Sequence, residues 1–490
     1  MPTTLRLLFV AILAAVTIVA LPAQEPAADT AAAKARLQEI AAAVNLTVDG
    51  WAWTLDGQAW EDYKPGQGLN ASRVGVRARI PCREVVAGVP VLGTPTILKL
   101  NLYARGLVDV TVRQDDRVVQ VIRIDGGGDQ GTEVVKEVFL NDPPPITGST
   151  IDLEAVNAGR RPPRGEFWPP RRNPLPETGL VFAIRGAELD YLEARPMVAA
   201  LRDWVDSLQT AERLIWPELV RYTFTRRPYP IEDRRGVSPE RLAQLGAAYA
   251  RAVQAFDLDA VKRGGRDRLE ASLKQSLAET AELRRYAQEF KVHLIGNAHI
   301  DIAWLWRMAE TREVARNTYA TVLKNMDEYP ELVYAQSQAL TYQWIEERDP
   351  QLFRQIAQRI ADGRWEVVGG TWVEPDCNLI SGESWVRQLL FGKRYFKEKF
   401  GVDVKIGWNP DSFGYNWNMP QLYRKSGLDV FITQKIWWND TTVFPHFVFW
   451  WEGPDGTRLL TYFPPEGYTS RVDLAENADA IPKYQATPGW

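Results

Sequence analysis

Cysteine is nearly absent. Cys82 and Cys377 are the two in 490 residues, and they fall in different predicted domains, so no disulfide framework is indicated even in an oxidising compartment. Histidine is scarce as well: the chain holds His293, His299 and His446, with no His-x-x-x-His pair. A site built on a His-rich metal triad is therefore not expected. A strong charge of either sign is also missing. The 58 basic and 62 acidic side chains leave a net charge of −4, which removes nucleic acid from the expected partners. Long apolar runs are lacking too, apart from Leu7 to Leu21, broken only by Thr17. That run is short for a membrane span. With Arg6 before it and Leu21-Pro22-Ala23 after it, Met1 to Ala23 reads as a secretory signal peptide. No Cys comes after the run, so a lipoprotein anchor is not expected. The expectation is a secreted or periplasmic protein with no stable membrane insertion after cleavage; an uncleaved anchor is the alternative.

What the chain does have is tryptophan. Its 19 Trp favour a carbohydrate-handling protein, though core packing can absorb many of them. Apolar content of 45% and charged content of 24% are ordinary for a soluble globular protein, and the length suits roughly two to four domains. Residues 45–190 have a β texture. Val74, Val76, Ala78 and Ile80 alternate with Arg73, Arg77 and Arg79. Leu98, Leu100 and Leu102 alternate with Lys99, Asn101 and Tyr103, and Val108, Val110 and Val112 face Val119 and Val121 across a Gln-Asp-Asp turn. This period of two predicts an antiparallel β-sandwich. It is read as a prop for the C-terminal half of the chain, or else as a sugar-binding module using Trp51, Trp53 and Trp60. The Pro- and Arg-rich stretch Gly159 to Pro176 reads as a surface linker. Residues 191–290 form a predicted helical connector, with helices over 193–222 and 238–290.

From Val292 the rhythm becomes strand, helix, strand. Strands are predicted at Val292–Gly296, Leu332–Gln336, Trp365–Gly369, Val404–Trp408 and Asp429–Thr433. The intervening helices are Glu310–Asp327, Thr341–Ala361, Glu383–Lys399 and Met419–Ser426. Gly453-Pro454-Asp455-Gly456 reads as the turn of a hairpin. This alternation predicts a parallel sheet closed, or nearly closed, as a (β/α) barrel over residues 291–490.

Two stretches carry chemistry. VHLIGNAHIDIAWLW reads as a buried strand (Val292, Leu294, Ile295) ending in His299 and Asp301, with Trp304 and Trp306 close behind. Side chains at i and i+2 share a face in an extended chain, and one imidazole with one carboxylate suits a divalent ion such as zinc. The plainer alternative is a His and an Asp that pair with each other or with backbone. VKIGWNPDSFGY is again a strand running into a polar turn, and it delivers Asp411 beside Trp408 and Phe413. Two such strand ends can meet at the C-terminal rim of a β/α barrel.

NAHIDIAWLW, GGTWVEPDCNLISGES, WNPDSFG and FPHFVFWWEGPDGTRLLTYFPP, in that order, resemble the N-terminal catalytic region of glycoside hydrolase family 38, the retaining α-mannosidases. The likeness is strongest from Lys291 to Tyr468 and closest to the cytosolic-type branch, which also occurs in bacteria. An export signal departs from that branch name. The resemblance implies a barrel of about seven strands and an exo-α-mannosidase using Zn2+ or another divalent ion such as Co2+. It implies metal ligation by His299, Asp301 and Asp411, with Asp411 also the nucleophile. It implies Trp304 as the platform under the sugar, Phe413 in the same pocket and Lys435 as the basic residue beside the nucleophile. Asp376 is a further active-site carboxylate, with a turn-capping Asp as the alternative. His446 reads equally as an aglycone-side residue or a surface turn. The family continues into a helical domain and a large β domain, with a further metal His and the acid/base Asp. This chain is therefore expected to be a truncation or fragment, incomplete as a barrel, with an open, weak metal site and little turnover. Asp473 and Asp479 lie in the right direction without a persuasive motif. Two other readings stay open, a metal-dependent polysaccharide deacetylase and a non-catalytic sugar-binding fragment. α-Mannosides are the expected partners, and homo-oligomer formation is left open.

Overall fold

Alternation of branched apolar and charged residues governs the first half of the chain. The computed structural model describes residues 28–55, 58–71, 73–81, 83–126, 132–140, 149–157, 180–222, 228–230, 236–304, 306–441 and 446–464, with residues 444, 478 and 481. The proposed signal peptide, Cys82, the Gly159 to Pro176 linker, Asp473 and Asp479 lie outside them. The chain divides into two compact units. One holds the β-rich half up to Gln209 together with Leu242–Arg285, and the other holds Thr210–Arg241 and the chain from Tyr286 onward.

In the first unit, Arg73–Ile80 buries Val74, Val76, Ala78 and Ile80 and exposes its arginines, as its period of two requires. It pairs antiparallel with Ser149–Asn157, which pairs on its other edge with Thr96–Gln114. The two strands read from Leu98–Leu102 and Val108–Val112 are one strand of 19 residues. Its first half pairs with Leu180–Tyr191 and Thr132–Leu140, its second with Ser149–Asn157 and Arg117–Gly126. The change of neighbours falls at Gly106, whose φ of +91° only glycine adopts easily. The result is two antiparallel halves sharing one long strand, as strands do where they pass from one sheet to another. The Asp115-Asp116 turn has φ of +46° and +66°, the left-handed pair that matches strand twist in a two-residue hairpin. Trp51 is buried and its Nε1 donates to Val48 O at 2.7 Å, while Trp60 lies 4.4 Å beneath the Arg77 guanidinium. Both rings take part in the unit's own packing.

The long helical run breaks where capping chemistry interrupts it. Helices span Arg195–Ile215, Pro239–Gln254, Leu258–Arg263, Arg266–Glu279 and Ala281–Ala287. Asp257 caps the third by accepting from Ala260 N at 3.0 Å, and Gly264 and Gly265, at φ +88° and +132°, end it.

In the second unit, Gly296–Asn297, Tyr334–Gln336 and Trp365–Val367 form a parallel sheet. Ile406–Trp408, Val430–Ile432 and Arg458–Tyr462 form another, with Val448–Glu452 added antiparallel across the predicted hairpin. Gly369 N–H donates to Ile406 O at 2.8 Å and so joins the two sheets edge to edge. Among the described residues, no strand pairing closes this array into a barrel. The first predicted strand is shorter than its sequence suggested. Val292, Leu294 and Ile295 are about half exposed, and pairing begins only at Gly296, where Tyr334 supplies a partner. An apolar run becomes a buried strand only where neighbours cover it, and among the described residues no strand pairs with residues 292–295.

The helices Met308–Glu328, Ala339–Arg348, Pro350–Ala361, Gly382–Phe400 and Met419–Lys425 alternate with these strands. The single helix predicted over Thr341–Ala361 is two. Pro350 has no N–H to continue the first, and Asp349 caps the second by accepting from Leu352 N at 3.2 Å. Ser381 caps the long Gly382–Phe400 helix and left-handed Gly401 ends it. Behind the strands, Tyr319, Tyr334, Tyr342, Trp365 and Phe396 pack in edge-on and tilted pairs 4.7–5.5 Å apart. Such pairs add about 0.5–1.5 kcal/mol each beyond area burial, which makes a stiff base for the loops at the strand ends.

Candidate active site

Each functional side chain stands on the loop that follows a parallel strand. His299 and Asp301 follow Gly296–Asn297, Glu374 follows Trp365–Val367, Asp411 follows Ile406–Trp408, and Lys435 follows Val430–Ile432. His299 and Asp301 come together in a loop, not along an extended strand as the i, i+2 argument supposed. His299 Nε2 is 3.2 Å from Asp301 Oδ1 and 3.9 Å from Asp411 Oδ2. One ligand atom from each of the three lies within 4.8 Å of the others, and among the described residues no other such group appears.

The other face of the imidazole meets a carboxylate. His299 Nδ1 lies 2.8 Å from Glu374 Oε2, and the Glu374 side chain is 4% exposed. Ser337 Oγ donates to the remaining oxygen, Glu374 Oε1. Burial works against protonation of His299, yet Glu374 and then Asp301 outweigh it and push its pKa up to about 9. The donor set fits a divalent ion. One nitrogen and two oxygens converge, and a carboxylate behind the ring orients Nε2 towards them, as metal-bound histidines require.

Asp411 is held from two sides. Lys435 Nζ lies 2.9 Å from its Oδ1, with the lysine side chain 9% exposed. The ammonium also sits 4.2 Å from the Phe413 ring centre and 3.9 Å from that of Trp438. The loop beneath is pinned by Asn409, whose Nδ2 donates to Pro375 O at 3.2 Å and whose Oδ1 accepts from Ser412 Oγ at 2.9 Å. Cys377 is buried beside it as a free thiol, pushed up to about 12 by desolvation.

The remaining sequence candidates divide. Trp304 is 56% exposed and packs edge-on against Trp306, and the Trp306 Nε1 donates to Asp301 O. Phe413 is 72% exposed, which leaves both rings free to meet a ligand. Asp376 Oδ1 accepts from the backbone N–H groups of Asn378 and Leu379 at 2.9 and 2.8 Å, a turn-capping arrangement, and Asp376 is not in the ligating cluster. His446 lies against Phe444 and is likewise outside that cluster. Glu374 was missed from the sequence. Its signal was there, since a histidine ligand needs a carboxylate partner and Glu374 sits in the same motif as Asp376.

The sequence of residues 289–487 matches the family described as Glycosyl hydrolases family 38 N-terminal domain. Alpha-mannosidase G of Dictyostelium discoideum is 44% identical over 38% of this chain and 17% of that protein. Alpha-mannosidase of Saccharomyces cerevisiae is 41% identical over 47% of this chain and 21% of its own length. Human Alpha-mannosidase 2C1 is 44% identical over 36% of this chain and 17% of its own length. The chain thus spans about a fifth of the length of these relatives. The similarity to family 38 read from the motifs is supported over this region.

Proposed function

We propose that residues 289–487 are the metal-holding, nucleophile-bearing part of a retaining exo-α-mannosidase that removes terminal α-mannose from oligosaccharides or glycans. The observation that carries this reading is the convergence of His299, Asp301 and Asp411, with Lys435 on the second oxygen of Asp411. The names of the similar proteins point to the same substrate class. The cytosolic-type branch, a bacterial source and export by way of Met1 to Ala23 belong to the proposal too.

His299, Asp301 and Asp411 would hold the ion. When bound, a divalent ion supplies a template for two sugar hydroxyls. Lys435, 2.9 Å from Oδ1, fixes the orientation of the Asp411 carboxylate. An oxygen of Asp411 attacks the anomeric carbon; the new C–O bond forms as the glycosidic C–O bond breaks, and the departing oxygen takes a proton from an acid. Water then attacks the same carbon, a base takes its proton, and the bond to Asp411 breaks with net retention. The acid and base are one carboxyl roughly 5–5.5 Å from the nucleophile. Asp376, Asp473 and Asp479 are the first to test for that role. Trp304 and Phe413 offer apolar faces to the sugar.

The test is an aryl α-mannoside whose leaving group needs no protonation. Release of aryl alcohol, a mannosyl mass added at Asp411 and loss of both in Asp411→Asn are expected. If none of the three aspartates is the base, deglycosylation is slower by about 10²–10⁴-fold and release stops at one equivalent. Acetate release from an acetylated polysaccharide would instead mark a deacetylase. Sugar binding without either reaction would mark a binding module.

A further inference from the structure

Gln338 joins the loop that carries His299 and Asp301 to the loop that carries Glu374, and nothing in its sequence context announces it. It follows the Tyr334–Gln336 strand, is 1% exposed, and has φ +66° and ψ 92°. That left-handed conformation is uncommon for a residue with a long side chain, and it persists only where surrounding contacts hold it. Gln338 stands at the N-cap of the Ala339–Arg348 helix, yet its side chain makes no capping hydrogen bond. Both ends of its amide are used elsewhere. Nε2 donates to Ile300 O at 2.7 Å, and Oε1 accepts from the backbone N–H of Glu374 at 3.1 Å.

Those partners are not arbitrary. Ile300 lies between His299 and Asp301, and Glu374 is the residue whose carboxylate meets His299 Nδ1. One side chain therefore spans from the loop that carries two ligands to the loop that carries the carboxylate behind one of them. A carboxylate can only accept and an aliphatic chain can do neither, so both links need an amide of this length.

We infer that Gln338 is a positioning residue that sets the spacing between the His299-Ile300-Asp301 segment and Glu374. It touches neither ion nor substrate. Its effect on metal affinity rests on the proposed metal site, whereas its effect on the His299 ring does not.

The experiment uses the full chain with isotope-labelled histidine. Only His293, His299 and His446 are present, so each imidazole can be assigned by substitution. Gln338→Gly removes both links while suiting the backbone angle; the carbonyl of Ile300 and the N–H of Glu374 lose their partners, so the urea midpoint is expected to fall, and the resonances are read on the folded variant well below that midpoint. In the metal-free variant the His299 resonance is expected to shift or broaden, with His293 and His446 unmoved. The zinc dissociation constant, read by competition with a chromophoric chelator, is expected to weaken by about 10–100-fold. Gln338→Glu keeps the acceptor and loses the donor, and it serves as the readout if the glycine variant does not fold. If the wild-type chain binds no zinc, the metal reading fails while the His299 resonance still decides the role of Gln338. An unmoved His299 resonance in a folded variant overturns the inference.

Discussion

Lys435 places its ammonium 2.9 Å from Asp411 Oδ1, and Asp411 Oδ2 lies 3.9 Å from His299 Nε2. One carboxylate therefore faces a fixed cation on one oxygen and the His299 imidazole on the other. Trp438 and Phe413 cover the same ammonium with their ring faces, which holds the lysine where it is.

Removing that lysine takes away the cation that faces Asp411 Oδ1. Lys435→Met removes the ion pair to Oδ1 and is expected to destabilise the metal-free protein by about 1 kcal/mol or more, the order of a lost hydrogen bond to a charged group. A bound cation restores the missing charge. Zinc should therefore raise the thermal midpoint of Lys435→Met more than that of the wild type. Equal zinc-induced shifts by scanning calorimetry would sink this account.

The ligand set makes a graded prediction. If the proposed site holds zinc, His299→Ala removes its nitrogen and is expected to abolish the binding seen on titration with zinc. Glu374→Gln leaves all three ligands in place and weakens affinity by about 10–100-fold through loss of the charge behind the ring. Metal content by mass spectrometry and chelator competition measure the two. Equal losses would mean that Glu374 is itself a ligand.

Cys377 gives a pH dependence with a definite sign. Its thiol ionises near the ordinary thiol range when unfolded but is pushed up to about 12 in the fold by burial. The unfolded chain therefore releases this proton first. The contribution is fully present below about pH 9 and is lost as pH rises towards 12, by up to about 1 kcal/mol per pH unit. Urea midpoints between pH 8 and 10.5 should fall more steeply for the wild type than for Cys377→Ala. Parallel slopes would show that the thiol does not titrate in this way.

Gly392 lies inside the Gly382–Phe400 helix, where alanine ordinarily gains about 1 kcal/mol. Here a Cβ would meet Thr371 C at 2.4 Å and Gly370 O at 2.5 Å. Both are backbone atoms of the segment that leads to Glu374, so they cannot swing aside. The clash outweighs propensity, and Gly392→Ala is expected to destabilise by about 1–3 kcal/mol net. Chemical denaturation checks it, and a stabilised variant would show that the helix and that segment can separate.

Much of this was legible in the chain itself. Alternating residues in Arg73–Ile80 specify which side of that strand is buried, because side chains on a strand have no other periodicity. Asp349-Pro350, which the single helix predicted over Thr341–Ala361 ran through, and Ser381 place helix starts through capping chemistry that acts over three residues. From residue types alone His299 and Asp301 offered a metal pair or a plain His–Asp pairing; joining Asp411 to them as a third ligand rested on the resemblance of the motifs to family 38.

Tertiary structure decided the rest. Of the two carboxylates flanking Pro375, Glu374 turns inward to His299 and Asp376 caps a turn. That choice depends on Ser337 and Gln338, which approach from a different strand. Val292, Leu294 and Ile295 carry a core-like pattern but lie exposed, since burial depends on a neighbouring strand and not on the residue itself. Gln338 has no local signature at all. Its left-handed backbone and its two hydrogen bonds exist only because loops near positions 300 and 374 arrive on either side of it. Sequence spacing controls contacts within a few residues, and contacts across dozens of residues are settled by how the strands stack.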